Sequence, residues 1–197
     1  MEFHDHHNLV GSHAILSASN YHWVNYDDEK LRNTYESNLA KERGTQLHAL
    51  AEQLIRMKIR LPRNGTTLSR HVNDAIGFRM EPEVVLFYSP NVFGTSDAIS
   101  FDERKGLLRI SDLKTGVHPA KFTQLHIYGA LFCLEYGIDP NDIQTEFRIY
   151  QNDDVMLDDS DEREVLKHLA EKIIHFDEII QELNEENQGW RGVRWIQ

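Results

Sequence analysis

The spacing of apolar positions changes along the chain, and each change marks an element. Ser19 or Asn20 can open a short helical turn holding Tyr21, Trp23 and Val24, and Asp27 or Asp28 can cap a polar helix to about Ala40. Leu47, Leu50, Leu54 and Ile55 share one helical face, which predicts a second helix from Gly44 to about Lys58. Pro62, Asn64 and Gly65 break it, and Leu68, Val72 and Ile76 predict a third helix after Thr67. The period then shortens. Val84 to Tyr88, bounded by Pro82 and Pro90, is an unbroken β-prone run and predicts a largely buried strand. Residues 93–101 and 107–114 flank a charged loop ending in Gly106 and predict a hairpin. A helix from Pro119 to Tyr136 and a strand over 143–150 follow. From Ser160 to about Glu186, Leu166, Leu169, Ile173, Phe176, Ile180 and Leu183 step by three and four along one more helix.

At 197 residues the chain fits one domain, with a helical part over 1–43, a core over 44–150 and an acidic helix with a tail over 151–197. The net charge of −11 is regional: residues 151–187 hold 13 acidic and 3 basic residues, a net of −10, which leaves −1 for all the rest. Between Glu52 and Asp74 there is no acid, only Arg56, Lys58, Arg60, Arg63 and Arg70. This run is either a solvated face or a surface for phosphates, so the acidic total does not exclude a nucleic-acid partner. The tail from Gln188 alternates Trp190 and Trp195 with Arg191 and Arg194, suited either to anchoring the chain end or to stacking on unpaired bases. Cys133, the one cysteine, excludes an internal disulfide, a four-cysteine zinc site and a cysteine-ligated iron–sulfur cluster, and reads as a small buried hydrophobe. No run is apolar enough to span a membrane and the first residues lack a signal-peptide pattern, so the expected location is a cytosol.

The hairpin concentrates the chemistry. A register in which paired residue numbers sum to 209 places Ile99 against Ile110 and Phe101 against Leu108 on one face, and it sets Asp97 against Asp112. Directly opposed carboxylates repel, and a hard divalent cation would offset that repulsion. Lys114 shares the face of Asp112 because side chains alternate along a strand. A metal held there would polarise a phosphoryl oxygen, and the lysine could orient a water or stabilise developing negative charge.

The runs Gly94-Thr95-Ser96-Asp97, Ile110-Ser111-Asp112-Leu113-Lys114-Thr115-Gly116 and Gln124-Leu125-His126-Ile127-Tyr128, with Gly44-Thr45-Gln46-Leu47-His48 and Glu52 upstream, resemble the PD-(D/E)XK nuclease superfamily in its RecB-like, phage-type exonuclease branch. The resemblance covers residues 44–128 and implies an α/β (α+β) fold with a restriction-endonuclease-like αβββαβ core, a mixed sheet flanked by helices, N-terminal helices and a C-terminal acidic helix. It implies that His48, Asp97 and Asp112 bind the metal, with the Leu113 carbonyl as a further ligand, and that Lys114 is catalytic. It gives Gln124 and Tyr128, four apart on one helix face, a part in organising the site and touching DNA. An additional acid would be Glu52, Glu81 or Glu83, with no choice among them. The chain departs from the commoner pattern by carrying Asp112 where the superfamily more often has Glu.

The resemblance therefore implies a Mg2+- or Mn2+-dependent deoxyribonuclease that processes DNA ends in recombination, repair or phage DNA metabolism. An imidazole ligand at His48 favours Mn2+. DNA is the expected partner, with a recombination or replication protein as a second, and oligomerisation is left open. The competing reading keeps the fold but makes it an interaction protein that blocks a DNA-processing complex, with the acidic helix imitating DNA. The other histidines, including His4, His6, His7 and His13, carry no comparable motif.

Overall fold

The computed structural model describes residues 14–116 and 119–191, with side chains to residue 186. Two compact units divide at residues 45 and 46. In the first, a 3-10 turn over Tyr21–Asn25 leads into helix α1, Asp28–Arg56, whose start is capped by Asp27 Oδ1 accepting from the Lys30 N–H at 2.7 Å. Trp23 Nε1 donates to the Ser17 carbonyl at 2.8 Å. The expected break between Ala40 and Gly44 is absent: α1 is continuous through Gly44, since one glycine inside a helix costs only about 1 kcal/mol.

The second unit contains the rest of α1, then α2 (Thr67–Gly77), β1 (Glu81–Ser89), β2 (Val92–Asp102), β3 (Leu107–Leu113), α3 (Thr123–Tyr136), β4 (Gln144–Gln151), β5 (Asp154–Asp158) and α4 (Arg163–Arg191). The strands form one sheet in the order β1-β2-β3-β4-β5. All neighbours are antiparallel except β3 and β4, which α3 links as a parallel pair, so the sheet is mixed and flanked by helices.

Alternation along the strands divides the core in two. Leu86, Ile99, Leu108, Ile110, Phe147 and Ile149 gather with Leu125, Leu131 and Phe132 of α3 and Leu166 of α4. Ala98, Leu113 and Tyr150 gather with Ala51 and Ile55 of α1 and with Val72 and Ala75 of α2. Cys133 lies in the first cluster, and burial pushes its thiol up to about 12, as expected for a hydrophobe and not a nucleophile.

Two expectations are corrected. β1 is an edge strand and not a buried one: Leu86 is buried while Val85 and Phe87 are 51% and 46% exposed. Five consecutive apolar residues concealed that alternation. β5 was not expected at all. It is joined to β4 by Asn152 and Asp153, both at positive φ (52° and 58°), the backbone of a tight hairpin turn. Among the described residues, no helix is long and apolar enough to cross a membrane.

Candidate metal centre

The β2–β3 ladder has the expected register through Phe101–Leu108, Ile99–Ile110 and Ala98–Ser111, and stops one pair short of Asp97 and Asp112. There the strands part, and Asp97 Oδ2 accepts the Leu113 N–H at 2.6 Å. The carboxylate takes the place of a ladder carbonyl, so Asp97 is fixed by the same backbone that presents Asp112. Its other oxygen, Oδ1, lies 3.3 Å from His48 Nδ1 on α1.

On the opposite flank, β1 pairs with β2 through Pro82–Ala98 and Val84–Ser96, which sets Glu83 across from Asp97. Glu83 has φ of +50° and drops out of the ladder. Positive φ is unfavourable for a residue with a long side chain, and such local strain is characteristic of functional positions. Glu83, Asp97 and Asp112 thus form one row across three adjacent strands. Donor atoms of His48, Glu83 and Asp97 all lie within 4.8 Å of one another. Of the three candidate extra acids, only Glu83 is in this group. Glu52 is paired with Arg56 at 2.8 Å, and Glu81 is exposed at the start of β1.

Asp112 is almost fully buried and is held by Lys114, whose Nζ lies 3.0 Å from Oδ1 and 2.9 Å from Oδ2. The second contact lacks hydrogen-bond geometry, which leaves Oδ2 as a buried oxygen with no hydrogen-bond partner. Lys114 Nζ also donates to Gln124 Oε1 at 2.8 Å, and Gln124 Nε2 donates to the Tyr128 hydroxyl at 2.9 Å. One relay therefore runs from the sheet onto α3. Gly94 makes room for it, because a Cβ there would sit 2.8 Å from Tyr128 Cε1. The contact shown by Leu113 is through its N–H, and its side chain is fully buried in the core.

The electrostatics separate the two aspartates. Burial and the charge of Asp97 hold Asp112 above the usual carboxylate range, against the pull of Lys114. Burial pushes Asp97 the same way, but the hydrogen bond and charge of His48 and the Leu113 N–H bring it below its ordinary value. The Asp97 hydrogen bond raises His48, against a smaller loss from burial. Burial and Asp97 raise Glu83. The donor set of one imidazole and two carboxylates, His48, Glu83 and Asp97, fits a divalent cation, whereas Asp112, expected as a ligand, lies outside that group with both oxygens beside Lys114.

The basic run divides. Arg60, Arg63 and Arg70 line one concavity of about 380 Å3 together with Ser69, Asn73 and one acid, Asp74. Arg56 is engaged elsewhere, bridging Glu52 and the Pro82 carbonyl at 3.2 Å. Lys58 is exposed at the end of α1, with φ of +56°. His4, His6, His7, His13, Arg194 and Trp195, and the side chains of Trp190 and Arg191, lie outside the described part of the chain. No family model matches the chain, and no curated protein or solved structure shows significant similarity to it.

Proposed function

We propose that this chain is a divalent-metal-dependent deoxyribonuclease with a restriction-endonuclease-like core, acting on DNA ends. The observation that carries this reading is the row Glu83–Asp97–Asp112 meeting His48 on one flank and the Lys114–Gln124–Tyr128 relay on the other. A structural ion pair would need Asp112 and Lys114 alone. It would not need a third carboxylate at unfavourable φ or a histidine against Asp97.

In this reading His48, Glu83 and Asp97 would hold Mg2+ or Mn2+, with Asp112, ion-paired to Lys114, next in the same row. The ion supplies Lewis-acid stabilisation of charge on the phosphoryl oxygens. Asp112 and Gln124 accept from the Lys114 ammonium and fix its direction, so its remaining proton can hydrogen-bond a water placed for in-line attack or the oxyanion that forms. Gln124 in turn sets the Tyr128 hydroxyl toward the DNA backbone. Arg60, Arg63 and Arg70 hold phosphates further along the strand. A recombination or replication protein would deliver the DNA, in a bacterial or phage-infected cytosol.

The test offers linear duplex, closed circular and single-stranded DNA to the chain with Mg2+ or Mn2+. Linear DNA should be degraded only with metal, and Asp112→Asn should abolish the activity. DNA binding without cleavage under either metal would favour the interaction-protein reading, and neither binding nor cleavage would end both.

A further inference from the structure

A second donor cluster lies elsewhere in the fold. His126 is on α3, two residues from both Gln124 and Tyr128, and therefore off the face those two share. Its Nε2 lies 3.6 Å from Oδ2 of Asp158, the last residue of β5, and 3.5 Å from Oε2 of Glu162, which immediately precedes α4. The three side chains are only 16%, 20% and 14% exposed, and their donor atoms lie within 4.8 Å of one another.

Nε2 is buried with no hydrogen-bond partner. A protonated imidazole serving as a simple ion-pair partner would draw in to roughly 2.7–3.2 Å. The longer separations match another geometry. Two ligands about 2.1 Å from a tetrahedral Zn2+ lie about 3.4 Å apart, close to both distances. The outer carboxylate oxygens face Ser160: Asp158 Oδ1 accepts from the Ser160 N–H at 3.2 Å, and the Ser160 hydroxyl, with one proton to give, lies between Asp158 Oδ1 and Glu162 Oε1. That leaves Oδ2 and Oε2 directed at the imidazole, the outer-shell support seen around metal ligands. Phe147 meets the His126 ring edge-on, with centroids 5.4 Å apart, and fixes its plane.

We propose that His126, Asp158 and Glu162 bind a second divalent cation of the zinc class, separate from the nuclease centre, which clips β5 and the start of α4 to α3. Water completes the tetrahedron. An imidazole with two carboxylates favours Zn2+ over Mg2+ or Ca2+. The site does not depend on the nuclease reading.

The test uses the full chain with His4, His6, His7 and His13 changed to Gln, so that the terminal imidazoles do not contribute, and with His48→Ala and Asp97→Asn to disable the first centre. After chelation and dialysis against Zn2+, mass spectrometry of the metal should find one equivalent bound, and Co2+ in its place should show the visible absorption of a tetrahedral site. Adding His126→Ala or Glu162→Gln should weaken Zn2+ by more than the roughly ten- to hundredfold cost of losing an outer-shell partner. It should also remove both the Co2+ spectrum and the Zn2+-dependent rise in melting temperature. Glu162→Gln keeps the shape of the side chain, so it decides the matter if His126→Ala fails to fold. No bound Zn2+ in the starting background, or Zn2+ affinity unchanged by Glu162→Gln, would overturn the proposal.

Discussion

Asp97 and Asp112 are one residue type in neighbouring strands, yet their surroundings give them different work. Asp97, hydrogen-bonded by His48 and the Leu113 N–H, is held below its ordinary value and suits a ligand; Asp112, buried and facing the charge of Asp97, is held above it against the pull of Lys114. Because neither Lys114 nor the Asp112 it pairs with belongs to the His48–Glu83–Asp97 group, removing Lys114 should spare that group while removing the proposed cleavage. Lys114→Ala is expected to keep Mn2+ affinity within about threefold while losing at least about a hundredfold in cleavage, whereas Asp97→Asn should lose both. Calorimetric Mn2+ titration beside a cleavage assay separates them. A different residue makes its own contribution to acid stability. His71 is buried edge-on to Tyr150, its Nδ1 has no hydrogen-bond partner, and desolvation lowers its pKa to about 4. The folded state then holds the neutral imidazole while the unfolded chain takes up a proton near its ordinary value of 6.5. Stability is complete above pH 6.5 and falls as the pH drops toward 4, by about 2 kcal/mol between pH 7 and 5. Urea unfolding at both pH values should show His71→Leu losing that much less than the wild type.

At the scale of elements, α3 is the pivot, because it carries the relay on one face and packs into the core on another. Gly129 allows the close approach: a Cβ there would meet Leu166 Cδ2 at 2.9 Å and Phe147 Cζ at 3.1 Å, both in fully buried side chains. Gly129→Ala gains about 1 kcal/mol in helix propensity but overpacks the core at about 1–3 kcal/mol. The expected net is a destabilisation of about 1 kcal/mol, read as a lower urea midpoint with an unchanged slope. The contacts of Gly129 were not legible in the sequence, since they join residues far apart along the chain. The β2–β3 register was legible, because apolar pairs on one face of a short hairpin allow a single alignment. Glu83 could be narrowed only to one of three acids, as its place depends on β1 pairing at an edge and on an unusual φ. The strand β5 was hidden by its flanking aspartates, although Asn152-Asp153 is a turn signal. The His126 cluster gave no motif, because His126 is more than thirty residues from Asp158 and Glu162 and meets them only through the β4–β5 hairpin.

Over the whole molecule the decisive feature is how charge is placed. Thirteen of the 32 acidic residues fall within 151–187, so the surface available to a polyanion has to come from elsewhere in the chain. Helix α4 is tied back to the sheet by Asp177, which accepts from Ser89 Oγ at 2.7 Å and from Asn91 Nδ2 at 2.8 Å, at the β1–β2 turn. Its negative charge is thus held at a fixed place beside that turn. The arginines around the α2 concavity are the corresponding positive feature, and the structure singles out three of the five basic residues for it. Arg60 and Arg70 each hold a nearby carbonyl, Asn73 and Gly65 respectively, and so are fixed in place, while Arg56 is committed to Glu52 and Pro82. If the three line a phosphate track, each releases about one counterion when DNA binds. Replacing Arg60, Arg63 and Arg70 by Gln should then flatten the slope of log affinity against log salt by about 3, equally for different sequences. Arg56→Gln should leave the slope unchanged and instead lower the melting temperature, because it breaks a tie between α1 and β1. Fluorescence anisotropy with labelled duplex from 50 to 200 mM salt, on variants matched for circular dichroism, measures both. A slope that follows Arg56 and ignores the other three would move the DNA track to the end of α1.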